Sequence, residues 1–472
     1  MKRKKLLSMT LLSTMLITTL LTGCKSTSQT LNTEDKKIQL KLGIWPEDTL
    51  TADVKLHEGY KEKMEGKYNN VEVVPAYYKY SPNTFVPMAE AGNLPTIFET
   101  WYTEPQKLIK GNYVADITDI LKERGWLDSI NPQIKTLLSD ENGRVYGIPR
   151  DGYALGIMAN VQMFKDAGLV DADGRPIIPK TWEELAKTAQ TIKEKTGQAG
   201  LCLLAKDEGA GWHFSNIAWA YGATLTLKDD SGKYTSNLES AEAIKAMEFV
   251  KDLKWQYDCL TPDPTNENWG TGFANLGAGT AAMYIAANDA VNQPTENNGL
   301  PVEDLAFFAM PAGPNGDQYS LSGGTPYMFS KNATKEEINA ALDYLEIMGK
   351  SPIVTDDLLA GMKSDAQNKV DHGIPVISRF PAWINQDVID AEKKIQKEYS
   401  NVDEKLYESY FNTIAKDGNL RLEEPGSTQD MYAELTKVIQ GIITDKNADV
   451  KELMKQANVN YQKILDEKVN NQ

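Results

Sequence analysis

The side chains best suited to binding chemistry are aromatic and planar polar residues that follow predicted strands. Glu99, Trp101 and Tyr102 come directly after the apolar segment 94–98. The carboxyl ends of strands in α/β folds border a crevice, so we expect these three side chains at its rim. Aromatic rings can stack on an apolar face of a ligand, and polar groups can hydrogen bond to its polar groups. The combination is typical of a binding cleft.

Three further candidates follow the segment 143–149. Asp151 is placed to accept hydrogen bonds from a ligand, and Tyr153 stands two residues beyond it. Arg150 could contact a ligand or could instead form a structural ion pair with Asp151. The sequence leaves both roles of Arg150 open.

Two tryptophans belong to glycine-containing segments that are predicted to be loops. Trp212 lies in the segment 209–213, after an apolar run, and Trp269 precedes Phe273. Each is a candidate platform on which a ligand could stack. His213 is expected to be an ordinary surface or core residue.

Catalytic and metal-binding motifs give no comparable signal. The segment 277–282 imitates the dinucleotide pattern G-x-G-x-x-A, but the residues before it predict a helix and not the strand that this pattern needs. The three histidines, His57, His213 and His372, lack the spacing of metal ligands. We therefore predict neither a cofactor nor a metal site. A glycosidase needs only two carboxylates with no fixed sequence spacing, so that activity stays an alternative.

The composition is that of a globular protein without a basic surface. Of the 472 residues, 41% are hydrophobic and 25% charged, and this length favours two lobes or domains. The formal net charge is −16, and loss of the four cations at 2–5 with a leader would take it to −20. Such acidity argues against nucleic acid as a partner. Three cysteines are too few for a disulfide-rich scaffold, and buried thiols at Cys202 and Cys259 are favoured over a disulfide.

Strand and helix patterns alternate along the first part of the chain. Strands are predicted at 38–45, 71–74 and 94–98, and helices at 51–68 and 84–91. This alternation indicates an α/β fold with largely parallel sheets.

The later part of the chain contains clearer helix starts. Capping boxes at Thr181 and Thr334 each predict a helix directly after them. Further helices are predicted at 240–255 and 448–469, and a hairpin turn at 228–233.

The first 37 residues predict a targeting and anchoring segment and not a part of the fold. A cationic start and an apolar stretch that is short for a membrane span predict a signal peptide at 1–23. The ending Leu21-Thr22-Gly23-Cys24 resembles the lipobox of bacterial lipoproteins, in which the Cys carries a diacylglyceride. Cys24 is therefore predicted to be lipidated and 24–37 to be a flexible tether, which holds the protein on the extracytoplasmic face of the cell membrane. An uncleaved signal anchor with an incidental Cys is the alternative.

Several segments together resemble the family 1 extracellular solute-binding proteins, the receptors of sugar-type ABC importers. The clearest matches are GNLPTI at 92–97, NYVADIT at 112–118, GRVYGIP at 143–149, MFKDAGL at 163–169 and PKTWEEL at 179–185. Weaker matches follow in the same order at 273–283, 322–331 and 440–451. The resemblance covers nearly all of the chain from residue 38 to residue 470.

The resemblance implies a two-lobed α/β fold like that of the type II periplasmic binding proteins, with crossover strands that form a hinge between the lobes. The implied ranges are 38–149 and 287–329 for lobe 1, and 150–286 and 330–472 for lobe 2. The crossovers would fall near residues 149–153, 285–287 and 330.

The same resemblance adds candidates for the cleft. Trp45 ends the first strand at a position whose family counterpart faces the ligand, and packing in the core is the alternative. Asn288 and Asp289 follow the second implied crossover, where family members hold polar contacts and often a Trp that this chain lacks. Gly324 and Tyr327 approach the third, where glycine would let backbone N–H groups come near the ligand.

The implied function is capture of a carbohydrate, and more narrowly of an oligosaccharide, by hinge closure and its delivery to an ABC permease. The expected partners are the sugar, the transmembrane subunits of the permease and the membrane, with the chain itself a monomer. One alternative is a receptor of the same fold for peptides, amino acids or another polar solute. Another is a lipoprotein that presents its ligand to a sensor kinase.

Overall fold

The computed structural model of the protein describes residues 37–416 and 418–470. Residues 38–472 form one compact unit. The predicted signal peptide, the lipidation site Cys24 and the predicted tether up to residue 36 lie outside the described residues.

Strands and helices alternate up to residue 329, and helices predominate beyond it. The strands are β1 (Ile38–Leu42), β2 (Val71–Pro75), β3 (Ile97–Glu99), β4 (Gly147–Pro149), β5 (Tyr153–Asn160), β6 (Ala199–Cys202), β7 (Thr226–Lys228), β8 (Tyr234–Ser236), β9 (Ala281–Ala287), β10 (Leu305–Phe308), β11 (Ser320–Gly323), β12 (Pro326–Phe329) and β13 (Leu420–Leu422). The helices are α1 (Thr51–Lys67), α2 (Pro82–Glu90), α3 (Pro105–Lys110), α4 (Thr118–Glu123), α5 (Pro132–Leu137), α6 (Val161–Ala167), α7 (Trp182–Thr196), α8 (Gly209–Ala220), α9 (Ala241–Trp255), α10 (Trp269–Gly277), α11 (Lys335–Ile347), α12 (Asp356–Asp371), α13 (Gln386–Tyr399), α14 (Glu408–Ile414), α15 (Thr428–Thr444) and α16 (Val450–Leu465).

The first sheet has the strand order β2-β1-β3-β12-β4. β1 runs parallel to β2 and β3, as the alternation of strands and helices predicts, whereas β12 runs antiparallel to β3 and β4. In β1, the buried Leu40 and Leu42 alternate with the exposed Gln39 and Lys41. One face of this strand therefore packs on the core, and the other faces outward.

The second sheet has the strand order β13-β11-β5-β9-β6, with β10 also paired to β5. β6 and β9 are joined through helices and run parallel, whereas β5 is antiparallel to β9, β10 and β11. The prediction of largely parallel sheets is therefore wrong for this sheet. The reason is that β5 enters it from the first sheet, in the direction opposite to β6 and β9.

The strand pairing sets where the chain passes between the sheets. It crosses at residues 150–152, between β4 and β5, where the first crossover is predicted. β9, β10 and β11 all pair with β5, so residues 287–323 extend the second sheet and the chain crosses back only at 324–325. The boundary predicted at residue 287 differs from this pairing, because β9 continues to its last residue inside the second sheet.

The last passage between the sheets also lies further along the chain than predicted. α11 packs against α1 and β1 of the first sheet, whereas α14 packs against β10 and β13 pairs with β11 of the second. The segment that contains α12 and α13 therefore makes the connection, in place of a crossover near Ser330. These two helices share a small apolar core of Ala366, Val376 and Ile395.

The helix starts predicted from capping boxes are confirmed. Thr334 accepts a hydrogen bond from the Glu337 N–H, and the Glu337 carboxylate accepts one from the Thr334 N–H. Thr181 likewise accepts from the Glu184 N–H, but the Glu184 carboxylate accepts from the N–H of Lys180. Both arrangements satisfy N–H groups near the first turn of a helix.

Cys202 and Cys259 are buried free thiols, as predicted. Burial raises the pKa of Cys259 to about 12, and burial also raises the pKa of Cys202. Both thiols are therefore uncharged at neutral pH and pack as small apolar side chains.

Candidate ligand-binding site

Two neighbouring segments that pass between the sheets form the base of the candidate site. They are residues 150–152 and residues 324–325. The N–H of Arg150 donates to the carbonyl oxygen of Thr325 (3.0 Å), and the N–H of Thr325 donates to Oδ1 of Asp151 (3.0 Å). These hydrogen bonds hold the two crossovers side by side.

Gly324 allows a close approach of chain segments at the second crossover. Its φ is +148°, and a Cβ atom there would lie 2.7 Å from the Tyr102 ring and 2.8 Å from the carbonyl oxygen of Asp151. Glycine avoids both the strain and the overlap. In this structure, the glycine makes room for Tyr102 and the other crossover.

Arg150 is bound by carboxylates on two sides. Its Nε lies 2.7 Å from Oδ2 of Asp151, and its Nη1 lies 3.1 Å from Oε2 of Glu99. The structural ion pair that the sequence left open for Arg150 is therefore present, and Glu99 extends it. Burial raises the pKa of Glu99, and the charge of Arg150 opposes that rise. Together the three side chains fix the end of β3 to the first crossover.

A cavity of about 510 Å³ opens beside the first crossover. Four of the predicted ligand contacts line it, namely Arg150, Asp151, Asn288 and Asp289. The volume lies within the range of small-molecule sites in proteins. We therefore take this cavity as part of the candidate ligand-binding site.

The far wall of the cavity comes from residues 349–392, for which the sequence predicted no site residue. Phe380 is buried against the first crossover, where a Cβ atom on Gly152 would lie 2.5 Å from its ring. Trp383 forms an isolated antiparallel bridge with Ile130, in the segment before α5. The α12–α13 segment is thereby anchored at the cavity and on the first lobe.

Asn288 and Asp289 are adjacent but differ in their surroundings. Asn288 is buried, and its side-chain oxygen accepts a hydrogen bond from the N–H of Ala154 (3.0 Å). Asp289 is open to the cavity, and its carboxylate has no ion-pair partner among the described residues. The surrounding protein raises the pKa of Asp289 to about 6, and the nearby charge of Asp151 adds to this rise. Asp289 is therefore available to accept hydrogen bonds from a ligand.

A cluster of aromatic rings lies on the second sheet's side of the crossovers. The rings of Trp212 and Trp269 meet edge-on with centroids 5.4 Å apart, and Tyr153 meets Trp212 at 6.0 Å. Tyr153 also lies against Gly323, the residue before the second crossover. Trp269 remains 36% exposed. The structure therefore brings together three candidates that are far apart in the sequence.

Both tryptophans lie on helices, so the prediction of loops around them is wrong. Trp212 belongs to α8, and Trp269 is the first residue of α10, directly after the N-cap Asn268. Gly211 lies in α8 where a Cβ atom would come within 2.5 Å of the Cα of Tyr432 on α15. Glycine in this segment allows two helices to pack closely and does not make a flexible loop.

Trp101 is the exposed aromatic candidate on the first sheet's side. It is 42% exposed, and its ring meets Tyr80 edge-on at 5.5 Å. The hydroxyl of Tyr80 donates to the carboxylate of Glu104 (2.6 Å). Glu423, just after β13 of the second sheet, is close enough to Glu104 and to Tyr153 for their charges to interact. Glu423 is therefore near both Glu104, on the first sheet's side, and Tyr153 of the second-sheet cluster.

Three other aromatic candidates face the protein interior. Trp45, Tyr102 and Tyr327 are all buried. Trp45 packs edge-on against His57 at 5.5 Å, which is the core alternative that the sequence left open. Tyr327 lies within β12, between β3 and β4. In this structure, these rings support the site and do not line its cavity.

His213 is a core residue, one of the two roles expected for it. Its ring is fully buried among aromatic side chains, and neither ring nitrogen has a hydrogen-bond partner in the described part of the chain. Burial lowers the pKa of His213 to about 3, so the ring is neutral at physiological pH.

Sequence reasoning missed the charged residues of the cavity's far wall. Lys350, Arg379 and Glu392 line the cavity and follow no motif of the resemblance. A signal was present at residues 378–383, where a basic side chain and two aromatic ones surround a proline. Such a segment is a reasonable source of binding residues.

Two sheets joined by paired crossovers, with a polar cavity beside them, are the arrangement of a hinged ligand-binding protein. Residues 48–350 match the family of bacterial extracellular solute-binding proteins. The chain belongs to this family of extracellular solute-binding proteins.

Proteins of similar sequence or structure cover most of the chain. An uncharacterized ABC transporter extracellular-binding protein of Pyrococcus horikoshii is 23% identical over 469 residues, which are 94% of this chain and 97% of that protein. Maltose-bound MalE3 of T. maritima is 18% identical with a TM-score of 0.64, over 87% of this chain and 96% of that one. UgpB of Mycobacterium tuberculosis in complex with glycerophosphocholine is 13% identical with a TM-score of 0.66, over 92% of this chain and 99% of that one. The predicted two-lobed, periplasmic-binding-protein-like α/β fold is confirmed.

No helix in the described part of the chain combines the length and apolar character needed to cross a membrane. Nor do residues 37–416 and 418–470 hold a group of three or more His, Cys, Asp or Glu side chains arranged to bind a metal ion.

Proposed function

We propose that the protein captures a carbohydrate, and more narrowly an oligosaccharide, between its lobes and delivers it to an ABC permease. The observation that carries this proposal is the presence of an exposed tryptophan on each side of the crossovers. Trp101 follows a strand of the first sheet, and Trp269 belongs to the aromatic cluster on the second. Tryptophan offers a large apolar surface that suits the flat face of a sugar ring.

Carboxylates beside these rings supply the polar part of the recognition. Asp289 lines the cavity, and Glu423 lies near Tyr153 and accepts a hydrogen bond from the hydroxyl of Tyr432 (3.0 Å). Sugar hydroxyls are donors, and carboxylate oxygens are strong acceptors. A neutral polyhydroxylated ligand can therefore satisfy these groups without an ion pair.

Hinge closure would join the two sets of residues around a ligand. The crossovers at 150–152 and 324–325 are short and lie side by side, so small dihedral changes there can rotate one lobe against the other. Closure would bring Trp101 towards the second-sheet cluster and would shield the ligand from water. The closed form would be the one that a permease recognises.

A binding panel with matched tryptophan variants tests the proposal. Oligosaccharides would be titrated calorimetrically against the wild-type protein, Trp101→Ala, Trp269→Ala and the corresponding Phe variants. We expect each Ala variant to weaken binding about 10-fold or more, and the Phe variants to weaken it less, because Phe keeps an aromatic face. Unchanged affinity in both Ala variants would show that the rings are not platforms.

A receptor for another polar solute is the second candidate function. The charged lining of the cavity favours it, since side chains of both signs meet there. The panel should therefore contain amino acids, peptides and glycerophosphodiesters. Binding of one of these, with silence on all glycans, would support the second function, and release of shorter sugars from a bound oligosaccharide would instead reveal a glycosidase.

Membrane attachment and delivery form a separate part of the proposal. We propose that Cys24 carries the lipid anchor and that the loaded protein stimulates the ATPase of a partner permease. Mass spectrometry of the mature N-terminus would detect the diacylglyceride, and Cys24→Ala should release the protein from the cell. Ligand-dependent activation of a sensor kinase without permease stimulation would favour signalling over transport.

A further inference from the structure

One basic side chain of the cavity lacks an acidic partner. Lys350 follows α11 and lines the far wall of the cavity. Within residues 37–416 and 418–470, its ammonium group forms neither an ion pair nor a side-chain hydrogen bond. Its main-chain N–H is satisfied by the carbonyl oxygen of Leu345 (2.8 Å). Of these two groups, only the ammonium group of Lys350 is therefore without a partner among the described residues.

The other cations of the cavity differ from Lys350 in this respect. Lys369 binds Asp365 at 2.8 Å, and Arg379 binds Asp365 and Glu392. Arg150 is held by two carboxylates, as described above. Among the described cations of the cavity lining, Lys350 is thus the one that forms no ion pair.

The surroundings of Lys350 make its charge unfavourable without a partner. The side chain is partly buried, and the charges of Arg379 and Arg150 oppose its own charge, whereas those of Asp151 and Asp365 favour it. Burial first, and these two cations second, lower the pKa of Lys350. A partly buried cation is stabilised by an anion that hydrogen bonds to it, and nothing on the described protein supplies one.

A negatively charged side chain without an ion-pair partner among the described residues lines the same cavity. Asp289 also has no ion-pair partner among the described residues, and it disfavours an anion in its own vicinity. A ligand with hydroxyl groups near Asp289 and an anionic group near Lys350 would satisfy both side chains. A fully neutral sugar would leave the ammonium group of Lys350 without an anion that hydrogen bonds to it.

On this basis we propose that the ligand is an acidic glycan whose carboxylate, as in a uronic acid residue, binds the ammonium group of Lys350. This inference rests on the carbohydrate-binding function proposed above, and it names the class of sugar. Lys350 would then be the residue that distinguishes acidic from neutral glycans.

Acidic oligosaccharides and their uncharged methyl esters test the inference directly. The full chain would be titrated with oligogalacturonides and oligoglucuronides and with their methyl esters, which keep the sugar but remove the charge. We expect the free acid to bind about 10-fold or more tightly than the ester, because a hydrogen bond between charged groups is lost on esterification. The preference should shrink as the salt concentration rises.

Two variants and one control assign the preference to Lys350. Lys350→Met and Lys350→Gln remove the unpaired cation and leave no carboxylate without a partner, so we expect both to fold and to lose the preference for the acid. Lys363→Met changes an exposed lysine of α12 that lies outside the cavity lining, and we expect it to keep the preference. Thermal unfolding of each variant checks that the fold is retained.

The outcomes separate this inference from the proposed function. Glycan binding without preference for the acid, or a preference that survives in both Lys350 variants, would overturn the inference and leave the carbohydrate function standing. Absence of binding to every glycan would overturn both the inference and the carbohydrate function. A preference for sugar phosphates that depends on Lys350 would keep the anion contact and overturn the carboxylate.

Discussion

The hydroxyl group of Tyr102 donates a hydrogen bond of 2.9 Å to the carbonyl oxygen of Asp151. Tyr102 follows the third strand of the first sheet, and Asp151 lies in the crossover that leads to the second sheet. Gly324, in the neighbouring crossover, lies against both partners of this bond. The hinge is therefore held by closely packed contacts that leave no room for an added methyl group. These contacts fix the relative positions of the residues at the base of the site.

Gly324→Ala should lower the free energy of unfolding by about 2–4 kcal/mol. A φ of +148° is strained for any residue with a Cβ atom, and the new methyl group would overlap the Tyr102 ring and the carbonyl oxygen of Asp151. Urea unfolding followed by tryptophan fluorescence measures the change. Gly361→Ala is the matched control, because nothing lies within 4 Å of a Cβ atom there and Gly361 is inside a helix. We expect that control to be neutral or more stable by up to about 1 kcal/mol, and equal stability of the two variants would contradict the prediction.

Local signals explain which parts of the fold could be predicted. The helix starts at Thr181, Ser240 and Thr334 depend on side chains within three residues of the cap, so the sequence contains the whole cause. The edge of β5 that β10 joins depends on packing between segments that are about 150 residues apart. No local pattern in residues 287–323 contains that information. The lobe boundary predicted at residue 287 therefore differs from the strand pairing, which keeps this segment in the second sheet.

Candidates named from the sequence line the cavity on the side of the crossovers, and none was named on its far wall. Arg150, Asp151 and Asp289 were named from their place after predicted strands or crossovers, and all three line the cavity. Lys350 follows α11 and Phe380 lies between α12 and α13, in segments that match no motif of the resemblance, and only tertiary packing brings them to the cavity. Trp45 follows β1 too, but it packs against His57 in the core.

Glu423→Gln should flatten the dependence of stability on pH. Burial raises the pKa of Glu423 to about 7, and the charge of Glu104 adds to the rise, whereas a glutamate in an unfolded chain titrates near pH 4.3. Between about pH 4.3 and 7 the folded protein therefore binds a proton that the unfolded chain has lost. The contribution of Glu423 to stability is thus present below about pH 4.3 and is lost as the pH rises to about 7.

Urea unfolding at pH 5 and pH 8 measures this effect. The loss of stability between the two values should be smaller in Glu423→Gln than in the wild type, by on the order of 1–3 kcal/mol. The Gln side chain keeps an oxygen that can accept the hydrogen bond from Tyr432. The exposed Glu398→Gln serves as a control and should leave the difference unchanged. An identical pH dependence in Glu423→Gln and the wild type would contradict the assignment.

Cys202 and Cys259 should resist thiol reagents in the folded protein. Both thiols are buried and uncharged at neutral pH, and the thiolate is the reactive form. A chain that begins after Cys24 should show no fast reaction with a chromogenic disulfide in buffer and two reactive thiols in denaturant. Fewer than two thiols in denaturant, restored by a reductant, would indicate a disulfide and would contradict the structure.

Phe380→Ala should weaken both the fold and the cavity. The ring of Phe380 packs against Gly152 of the first crossover, so its loss removes buried apolar contact and leaves a void beside the hinge. We expect the free energy of unfolding to fall by about 2–4 kcal/mol. Val370→Ala, at an exposed position of the same helical pair, should change it by less than about 0.5 kcal/mol.

A comparison of Phe380→Ala with Trp269→Ala shows whether the far wall of the cavity affects ligand binding through the hinge. Trp269 is partly exposed, so its truncation should lower ligand affinity with a smaller loss of stability. Phe380 touches the crossover itself, so its truncation should lower stability and also loosen the closed form, which raises the apparent dissociation constant. Ligand titration and urea unfolding on both variants separate the two effects. If Phe380→Ala kept wild-type stability and affinity, the α12–α13 segment would not be anchored through this contact, and the far wall would move independently of the hinge.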